Sequence, residues 1–465
     1  MNKTKIVCSI GPTSNNIEIV EKMIDAGMNV ARFNMSHGDH DSHKKMIDIV
    51  KEARKNKNVP IAILIDTKGP EIRIKQFKNE HVNLKVGDEF VLTTEDVVGD
   101  KTKVSVTYKN LPKILQKDAK LLLNDGNIEF KVEKLTKTDV ICSVVHGGIL
   151  SNNKSINLPG IKTDMPYLSE QDKKDLIFAK EMSADYVAIS FVGSAQDIKD
   201  VKVFLKSIDY SPKIISKIES QEGVKNFNKI LKVSDGIMVA RGDLGVEVDF
   251  VKIPVLQKEF IKKCNQQGKF VITATQMLES MINNPRPTRA EISDVANAIF
   301  DGTTAIMLSG ETASGKHPAE SVEIMRAVAL EIENYTHRST NTEIKTQDNS
   351  ESIGYAVYAL SQTENVKAIV AITQSGKTAE NISKFKPVVP IIACTQNEST
   401  YHSLSMFYGV NPVLNEEYQK MDALNKAAIE KTLKTKIVKK GDKVVLVSGQ
   451  IAGKSGSNTM MIKKL

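Results

Sequence analysis

Eight short apolar segments, separated by stretches with helical spacing, constrain the fold of this chain more than any other feature. They lie at residues 5–10, 30–35, 61–65, 186–191, 213–218, 236–240, 270–274 and 305–308. Most are continuously apolar rather than alternating, which is typical of strands buried on both faces in a parallel sheet covered by helices. Eight strand–helix units in succession predict an α/β fold built on a closed (β/α)8 barrel, the TIM barrel architecture.

The barrel series is interrupted once and is followed by a separate unit. Residues 70–164 carry short strand-like segments joined by Gly, Asp and Asn turns, which predicts an inserted all-β domain. The chain turns polar near residues 336–349, which is typical of a linker, and apolar and helical segments alternate beyond it. We therefore assign residues 1–69 and 165–337 to the barrel, 70–164 to the insertion and 350–465 to a C-terminal α/β domain.

Composition and charge exclude several classes of protein. The net charge is 64 − 56 = +8, the lysines are scattered, and the chain has no Trp, so we expect no nucleic-acid partner. No apolar stretch approaches the ~18 residues needed to span a bilayer, and the first residues enter a strand-like segment without a targeting signal. We expect a cytoplasmic protein without a membrane partner, and the mildly positive field suits anionic substrates.

The four cysteines support the same compartment. Cys8, Cys142, Cys264 and Cys394 are far apart in sequence, so no C-x-x-C pair is available for zinc or redox chemistry. We expect them to be reduced, small core residues.

Charged side chains follow several of the predicted barrel strands. Side chains at the carboxyl ends of parallel barrel strands converge on one open face, so Glu219 and Asp243 should meet there from adjacent strands. Paired carboxylates with room for water and substrate suit Mg²⁺ or Mn²⁺. Lys217 shares the strand face of Glu219 and would neutralise charge on a transferring phosphoryl group, while Arg32 and Arg73 would clamp phosphate oxygens. An alternative is a ring of ion pairs that only stabilises the rim, although two partly buried carboxylates are costly without a cation.

Seven motifs then indicate a family. They are ARFNMSHG at 31–38, DTKGPEIR at 66–73, ISKIE at 215–219, VARGDLG at 239–245, TATQMLESM at 273–281, NPRPTRAE at 284–291 and MLSGETA at 307–313. In this order they resemble the pyruvate kinase family, across the whole barrel. The insertion and the last domain are similar to that family more loosely.

The resemblance implies a glycolytic phosphotransferase that moves the phosphoryl group of phosphoenolpyruvate to ADP, giving pyruvate and ATP. It implies that Glu219 and Asp243 hold Mg²⁺ or Mn²⁺ and that Lys217 stabilises the phosphoryl group in flight. Thr275, with the backbone of Gly242 and Asp243, would hold the substrate carboxylate, and Thr275 is also a candidate proton relay to the enolate. Arg32 would contact substrate.

The resemblance also implies a nucleotide site and a potassium site. Asn34, His37 and Arg73 resemble nucleotide or phosphate contacts, and Lys154 would approach ADP when the inserted domain closes as a lid. The predicted K⁺ ligands all offer oxygen and are Asn34, Ser36, Asp66 and Thr67. A Glu at the position of Glu71 accompanies K⁺ dependence in the family, so we expect activation by K⁺.

The last domain resembles the family's regulatory domain. The loop that contains Thr373, Ser375, Gly376, Lys377 and Thr378 is a candidate site for a phosphorylated effector, with residues 448–456 closing over it. A plain glycine turn is an equally good interpretation, and the sequence does not name the effector. By resemblance, the assembly is an allosteric homotetramer.

Two other classes remain as alternatives. One is a metal-dependent, enolate-forming carbon–carbon lyase on the same barrel, which would need neither a nucleotide nor the 66–73 loop. The other is a non-catalytic metabolite sensor, which would be expected to lack Lys217, Glu219 or Asp243. All three residues are present.

Overall fold

The computed structural model describes residues 2–335, 346, 348–363, 365–416, 421–448 and 459–465. Eight strands form a closed barrel, and every pairing between them is parallel. They are β1 (Lys5–Ser9), β2 (Val30–Asn34), β3 (Ala62–Asp66), β13 (Tyr186–Ile189), β14 (Lys213–Ile218), β15 (Gly236–Ala240), β16 (Phe270–Ala274) and β17 (Ala305–Leu308). The barrel prediction is therefore confirmed, with every strand inside its predicted apolar segment except β3, which extends one residue further, to Asp66.

Both faces of the barrel strands are buried, which explains their continuous apolar character. In β1, Ile6 and Cys8 pack into the layer between strands and helices, whereas Val7 packs into the barrel interior. The helices of this unit are α1 (Ile17–Ala26), α2 (His40–Lys57), α4 (Glu170–Glu181), α5 (Ala195–Ser207), α6 (Gln221–Val233), α7 (Arg241–Glu247), α8 (Ile253–Gln266), α9 (Arg289–Phe300), α10 (Gly310–Ala313) and α11 (Pro318–Tyr335). Side chains accept backbone N–H groups at several of their starts, as Ser220 does for α6.

The segment between β3 and α4 is all-β apart from one short helix, α3 (Leu111–Ile114). Seven of its strands form one sheet, and the other two form a separate antiparallel pair. The insertion has an apolar core of its own. The strands are β4 (Ile72–Arg73), β5 (His81–Leu84), β6 (Glu89–Thr93), β7 (Lys103–Ser105), β8 (Lys120–Leu123), β9 (Ile128–Leu135), β10 (Asp139–His146), β11 (Gly148–Ser151) and β12 (Ser155–Asn157). Alternating burial in β9 and β10 indicates that one sheet face meets the core and the other meets water.

The C-terminal part is a five-stranded sheet with helices. Its strands are β18 (Val366–Ile372), β19 (Ile391–Thr395), β20 (Val410–Leu414), β21 (Lys443–Ser448) and the antiparallel edge strand β22 (Thr459–Lys464). Its helices are α12 (Asn349–Thr363), α13 (Lys377–Ser383), α14 (Glu398–Ser403) and α15 (Met421–Lys434). This confirms the predicted α/β fold. The linker predicted at 336–349 lies almost entirely outside the described residues.

The barrel interior is continuous with the core of the C-terminal part. Phe270 of β16 contacts Tyr186 on one side and Phe407 on the other, with ring centroids 5.7 and 5.6 Å apart and steep interplanar angles. Such edge-to-face packing is favourable for aromatic rings. The two units therefore share one apolar cluster, which closes the end of the barrel opposite the mouth.

Two buried lysines cross the same boundary. Lys5 Nζ donates to the carbonyl of Val410 at 2.6 Å, and Lys386 Nζ donates to the carbonyl of Gly302. Burial lowers the pKa of Lys5 to about 8 and that of Lys386 to about 7.

All four cysteines are free and buried, as predicted. Within the described ranges, no helix is both long and apolar enough to cross a bilayer.

The buried amine of Lys386 predicts a pH dependence of stability. Because its folded-state pKa is lowered to about 7, the folded chain binds fewer protons than the unfolded chain from about pH 7 to pH 10, so this group makes stability rise with pH. Replacing Lys386→Met should therefore raise the unfolding temperature relative to the native chain most near pH 7, and the difference should shrink toward pH 10. Thermal unfolding across that range measures it, with the exposed Lys440→Met as control. A difference that does not vary with pH would contradict the prediction.

Candidate active site

A cleft of about 750 Å³ lies between the barrel mouth and the inserted β domain. Most of the predicted site residues line it: Arg32, Asn34, Ser36, His37, Glu71, Arg73, Lys154, Lys217, Glu219 and Asp243. Asp66 and Thr67 are buried behind this lining. Gly242 and Thr275 are half-buried and contact each other beside it. The structure thus brings the barrel candidates together from five different strand ends.

Lys217 is the centre of the charged network in the cleft. Its Nζ lies 3.1 Å from Asp66 Oδ1 and 2.9 Å from Glu219 Oε1, and it donates a hydrogen bond to Ser190 Oγ at 2.7 Å. Arg32 contacts the other oxygen of Asp66 at 2.7 Å and donates to Ser9 Oγ at 2.7 Å. Four buried charged side chains are therefore packed as alternating cations and anions.

Burial and neighbouring charges act in opposite directions on these groups. Burial would lower the pKa of Lys217, but Asp66 and Glu219 outweigh it and raise that pKa, so the ammonium stays charged. Burial would raise the pKa of Asp66, yet Lys217 and Arg32 hold it below its ordinary value. For Glu219, burial dominates and raises the pKa, with Asp243 adding to the shift and Lys217 opposing it.

Glu219 has the character of an incomplete cation site. Its Oε2 accepts the N–H of Phe191 at 2.7 Å, whereas the buried Oε1 makes no hydrogen bond of acceptable geometry. That oxygen instead forms an ion pair with the Lys217 ammonium at 2.9 Å, and the charge of Asp243 acts on the same carboxylate. Two neighbouring carboxylates beside one ammonium suit a further cation. In the described part of the chain, no cluster of three or more His, Cys, Asp or Glu side chains is arranged to hold a metal. Two carboxylates are a donor set that fits Mg²⁺, which keeps water and substrate oxygens in its shell.

The predicted potassium ligands form a small group of oxygens at the ends of β2 and β3. Asn34 and Asp66 are direct partners in the strand register, and Asn34 Oδ1 accepts the N–H of Ser36 at 3.1 Å. The carbonyl of Thr67 accepts a hydrogen bond from Ser190 at 2.7 Å. Nearby, Glu71 pairs with Arg73 at 2.6 Å.

Thr275 follows β16 directly and sits against the start of α7. Its Oγ accepts the N–H of Gly242 at 2.8 Å and donates to the carbonyl of Ala274 at 2.6 Å. The helix begins at Arg241, and Asp243 lies in its first turn.

The inserted domain contacts the barrel at the rim of the cleft. Asn157 reaches Glu247 at the end of α7, with 3.3 Å between Nδ2 and Oε1, and this contact joins the insertion to the barrel. Within the insertion, Arg73 donates to the carbonyl of Asn153 at 2.8 Å, next to Lys154.

The candidate effector loop lines a second cavity, of about 960 Å³, between the barrel and the C-terminal part. Thr373, Ser375, Lys377 and Thr378 line it, opposite Lys180 and Lys213 of the barrel. Gly376 has a left-handed backbone, with φ +85°, just before α13. Of the closing segment predicted at 448–456, all but the first residue lies outside the described ranges.

One residue of the network was missed in the sequence. Ser190 follows β13, is buried, and links Lys217 to Thr67. The rule that located Glu219, namely the polar residue immediately after a barrel strand, would also have found Ser190 at the end of the fourth strand.

Fold and site together define a (β/α)8 enzyme with a lid and a mouth that suits phosphoryl groups and a divalent cation. Comparison with known proteins gives the family. The model "Pyruvate kinase, barrel domain" matches residues 1–322 and "Pyruvate kinase, alpha/beta domain" matches residues 351–463. The chain belongs to the pyruvate kinase family.

Individual relatives agree with the family models. The chain is similar to the pyruvate kinase of Clostridium perfringens (strain 13 / Type A), with 49% identity over 395 residues, 83% of each chain. It is 44% identical to the pyruvate kinase of Staphylococcus aureus (strain MRSA252) over 467 residues, which cover 99% of this chain and 80% of the relative. These matches confirm the phosphotransferase prediction and give no support to the lyase or sensor alternatives.

The contact between Ser190 and Lys217 can be tested directly. Ser190→Ala removes the neutral acceptor of the ammonium, so we expect kcat to fall about tenfold while stability falls by roughly 1 kcal/mol. Steady-state kinetics and thermal unfolding measure the two effects. Ser194→Ala, which removes the N-cap of α5 nearby, should cost similar stability without lowering kcat. Equal kcat values for both variants would show that Ser190 does not position Lys217.

Proposed function

We propose that this chain transfers the phosphoryl group of phosphoenolpyruvate to ADP, forming pyruvate and ATP. The observation that carries the proposal is the Lys217 ammonium, held charged between Asp66, Glu219 and Ser190 in a lidded cleft. A fixed positive charge that needs no reorganisation stabilises the charge that develops on a phosphoryl group in flight.

The chemistry balances with one proton. The bond between phosphorus and the enol oxygen breaks, an oxygen of the terminal phosphate of ADP bonds to phosphorus, and the enol oxygen keeps the electron pair. The resulting enolate takes a proton at its methylene carbon and becomes pyruvate. The chain must therefore bind two anions in line, exclude water and supply that proton.

Glu219 and Asp243 are the proposed ligands of a divalent cation, Mg²⁺ or Mn²⁺. When bound, the cation would supply positive charge that offsets the phosphate oxygens and the substrate carboxylate. The proposal is supported by the raised pKa of Glu219, which burial causes first and to which the charge of Asp243 adds.

Substrate and proton are assigned to the neighbouring strand ends. Arg32 and Lys217 would contact the phosphoryl group of phosphoenolpyruvate, and the backbone at Gly242 and Asp243 would face its carboxylate. Thr275 would pass a proton from water to the enolate. The contact between Thr275 Oγ and the N–H of Gly242 supports this arrangement.

The nucleotide is assigned to the opposite rim of the cleft. Asn34, His37 and Arg73 would contact ADP or ATP, and Lys154 would approach the phosphates as the inserted domain closes. Arg73 and Lys154 lie on the inserted side, so lid closure and nucleotide binding would be coupled.

K⁺ is assigned to the oxygens of Asn34, Ser36, Asp66 and Thr67. The register between Asn34 and Asp66 supports a shared site at these strand ends.

The C-terminal cavity supports a regulatory proposal. Hydroxyl groups and the ammonium of Lys377 line one wall, and Lys180 and Lys213 stand on the barrel side, which suits a phosphorylated effector. Because the cavity lies between two units, a ligand there would act on their contact.

We further propose a cytoplasmic homotetramer with the domain limits given above. Phe250, Val251 and Val255 form an exposed apolar patch at the start of α8, each more than 60% exposed, which is unusual for a monomer and supports subunit association.

The role of Lys217 predicts the effect of its removal. Lys217→Met should lower ADP-dependent formation of pyruvate by roughly a hundredfold to a thousandfold or more, because a preorganised cation is lost where charge develops. Pyruvate and ATP are both measured, with Mg²⁺ and K⁺ present. The exposed Lys229→Met on α6 serves as the matched control and should retain native rates. A fully active Lys217→Met enzyme, or pyruvate formation that needs no ADP, would reject the proposal.

Glu71 predicts the response to monovalent cations. Replacing K⁺ salts by Na⁺ salts should lower the rate of the native chain strongly, since Glu71 accompanies K⁺ dependence in the family. Glu71→Lys should reduce the ratio between the two rates by placing a fixed cation near the site. An unchanged native rate in Na⁺ would contradict the assignment.

A further inference from the structure

The backbone immediately after β16 adopts a rare conformation. Thr275 has φ +69° and Gln276 has φ +53°, so two successive residues with side chains are left-handed. For a β-branched residue such as Thr this region is strongly disfavoured. Such a conformation persists only where the surrounding structure determines it, and it clusters at functional sites.

Arg241 holds this segment by its carbonyl groups. Its Nη2 donates to the carbonyls of Thr275 at 2.6 Å and Gln276 at 3.1 Å, and its Nε also reaches the carbonyl of Thr275 at 3.2 Å. Nη1 is anchored by both carboxylate oxygens of Asp294, at 2.7 and 2.8 Å. The side chain is buried, so the planar guanidinium is fixed on both edges.

Glu311 holds the same segment from its other end. The carboxylate follows β17 and is buried; its Oε1 accepts the N–H of Leu278 at 3.0 Å, and its Oε2 accepts the N–H of Ser309 at 2.7 Å. Residues 275–278 are therefore held at both ends: Arg241 binds the first two carbonyl groups, and Glu311 binds the last N–H.

These hydrogen bonds determine the orientation of the Thr275 hydroxyl. Arg241 precedes Gly242, whose N–H donates to Thr275 Oγ, so one residue ties the start of α7 to the left-handed segment. Asp243 lies in the same helical turn. A shift of the segment would move the hydroxyl relative to both groups.

We propose that Arg241 and Glu311 are positioning residues that fix Thr275 in its left-handed conformation and thereby place its hydroxyl for protonation of the enolate. The inference rests on the proposed role of Thr275. In that step the hydroxyl proton moves to the methylene carbon, and Thr275 recovers a proton from water. Neither Arg241 nor Glu311 is among the residues that line the 750 Å³ cleft.

The test uses Arg241→Lys in the full-length chain. Lysine keeps the charge beside Asp294 but has no planar fork to hold two carbonyls. We expect kcat to fall about a hundredfold while the KM values for phosphoenolpyruvate and ADP change by less than about threefold. The exchange of pyruvate methyl protons for deuterium, followed by proton NMR with ATP, Mg²⁺ and K⁺, should fall with kcat. Arg54→Lys is the matched control, because Arg54 also donates to a backbone carbonyl, that of Ile61, far from the mouth.

Two further variants make the result decisive. Glu311→Gln disturbs the other end of the segment and should give the same loss of kcat and exchange, which also covers the case that Arg241→Lys fails to fold. Thr275→Ala combined with Arg241→Lys should be no slower than Thr275→Ala alone if Arg241 acts through Thr275. Additive losses, or native exchange in folded Arg241→Lys or Glu311→Gln, would overturn the inference. Native exchange in Thr275→Ala would instead reject the role of Thr275 itself.

Discussion

The buried ammonium of Lys217 is the interaction on which the mouth of this barrel depends. Asp66 and Glu219 flank it, and Arg32 balances the far side of Asp66. Together with Asp243, this network of side chains holds two cations and three carboxylates, a sum of 2 − 3 = −1. The carboxylates that keep Lys217 charged are thus also the groups that the proposed dication would neutralise, since buried charge is costly without compensation.

The barrel accommodates this concentration of charge because the carboxyl ends of its parallel strands meet at one face, while the rest of each strand is apolar. Lys217 lies on β14 and Glu219 follows that strand directly, while Asp243 lies in the first turn of the helix after the next strand. The opposite end of the barrel is closed by Phe270 and Phe407 in a core shared with the C-terminal part. The polar residues of the proposed active site thus lie at one end of the barrel and the shared apolar packing at the other.

Much of this organisation could be predicted from the sequence. The eight strands were predictable because burial on both faces leaves an apolar segment in each, and Glu219, Asp243 and Lys217 were predictable because strand ends converge. Ser190 obeys the same rule but carries a common residue type that no pattern distinguishes. The contacts of Arg241 and Glu311 were not predictable, since they join segments far apart in sequence and depend on how helices pack behind the strands. The left-handed backbone of Thr275 runs against its local preference, so only tertiary structure determines it.

The left-handed backbone of Thr275, which local preference disfavours, lies at the proposed site of proton transfer. Lys217, Glu219 and Asp66 are presented by regular strands or their first following residue, where the backbone is already fixed. Thr275 also follows its strand directly, but its backbone and that of Gln276 are left-handed, so regular structure does not fix it. A regular strand would carry the hydroxyl away from Gly242, whereas the left-handed turn returns it. The strained backbone of Thr275 therefore brings its side chain to the start of α7. Arg241 and Glu311 hold this segment by buried, charged hydrogen bonds because regular secondary structure does not hold it there.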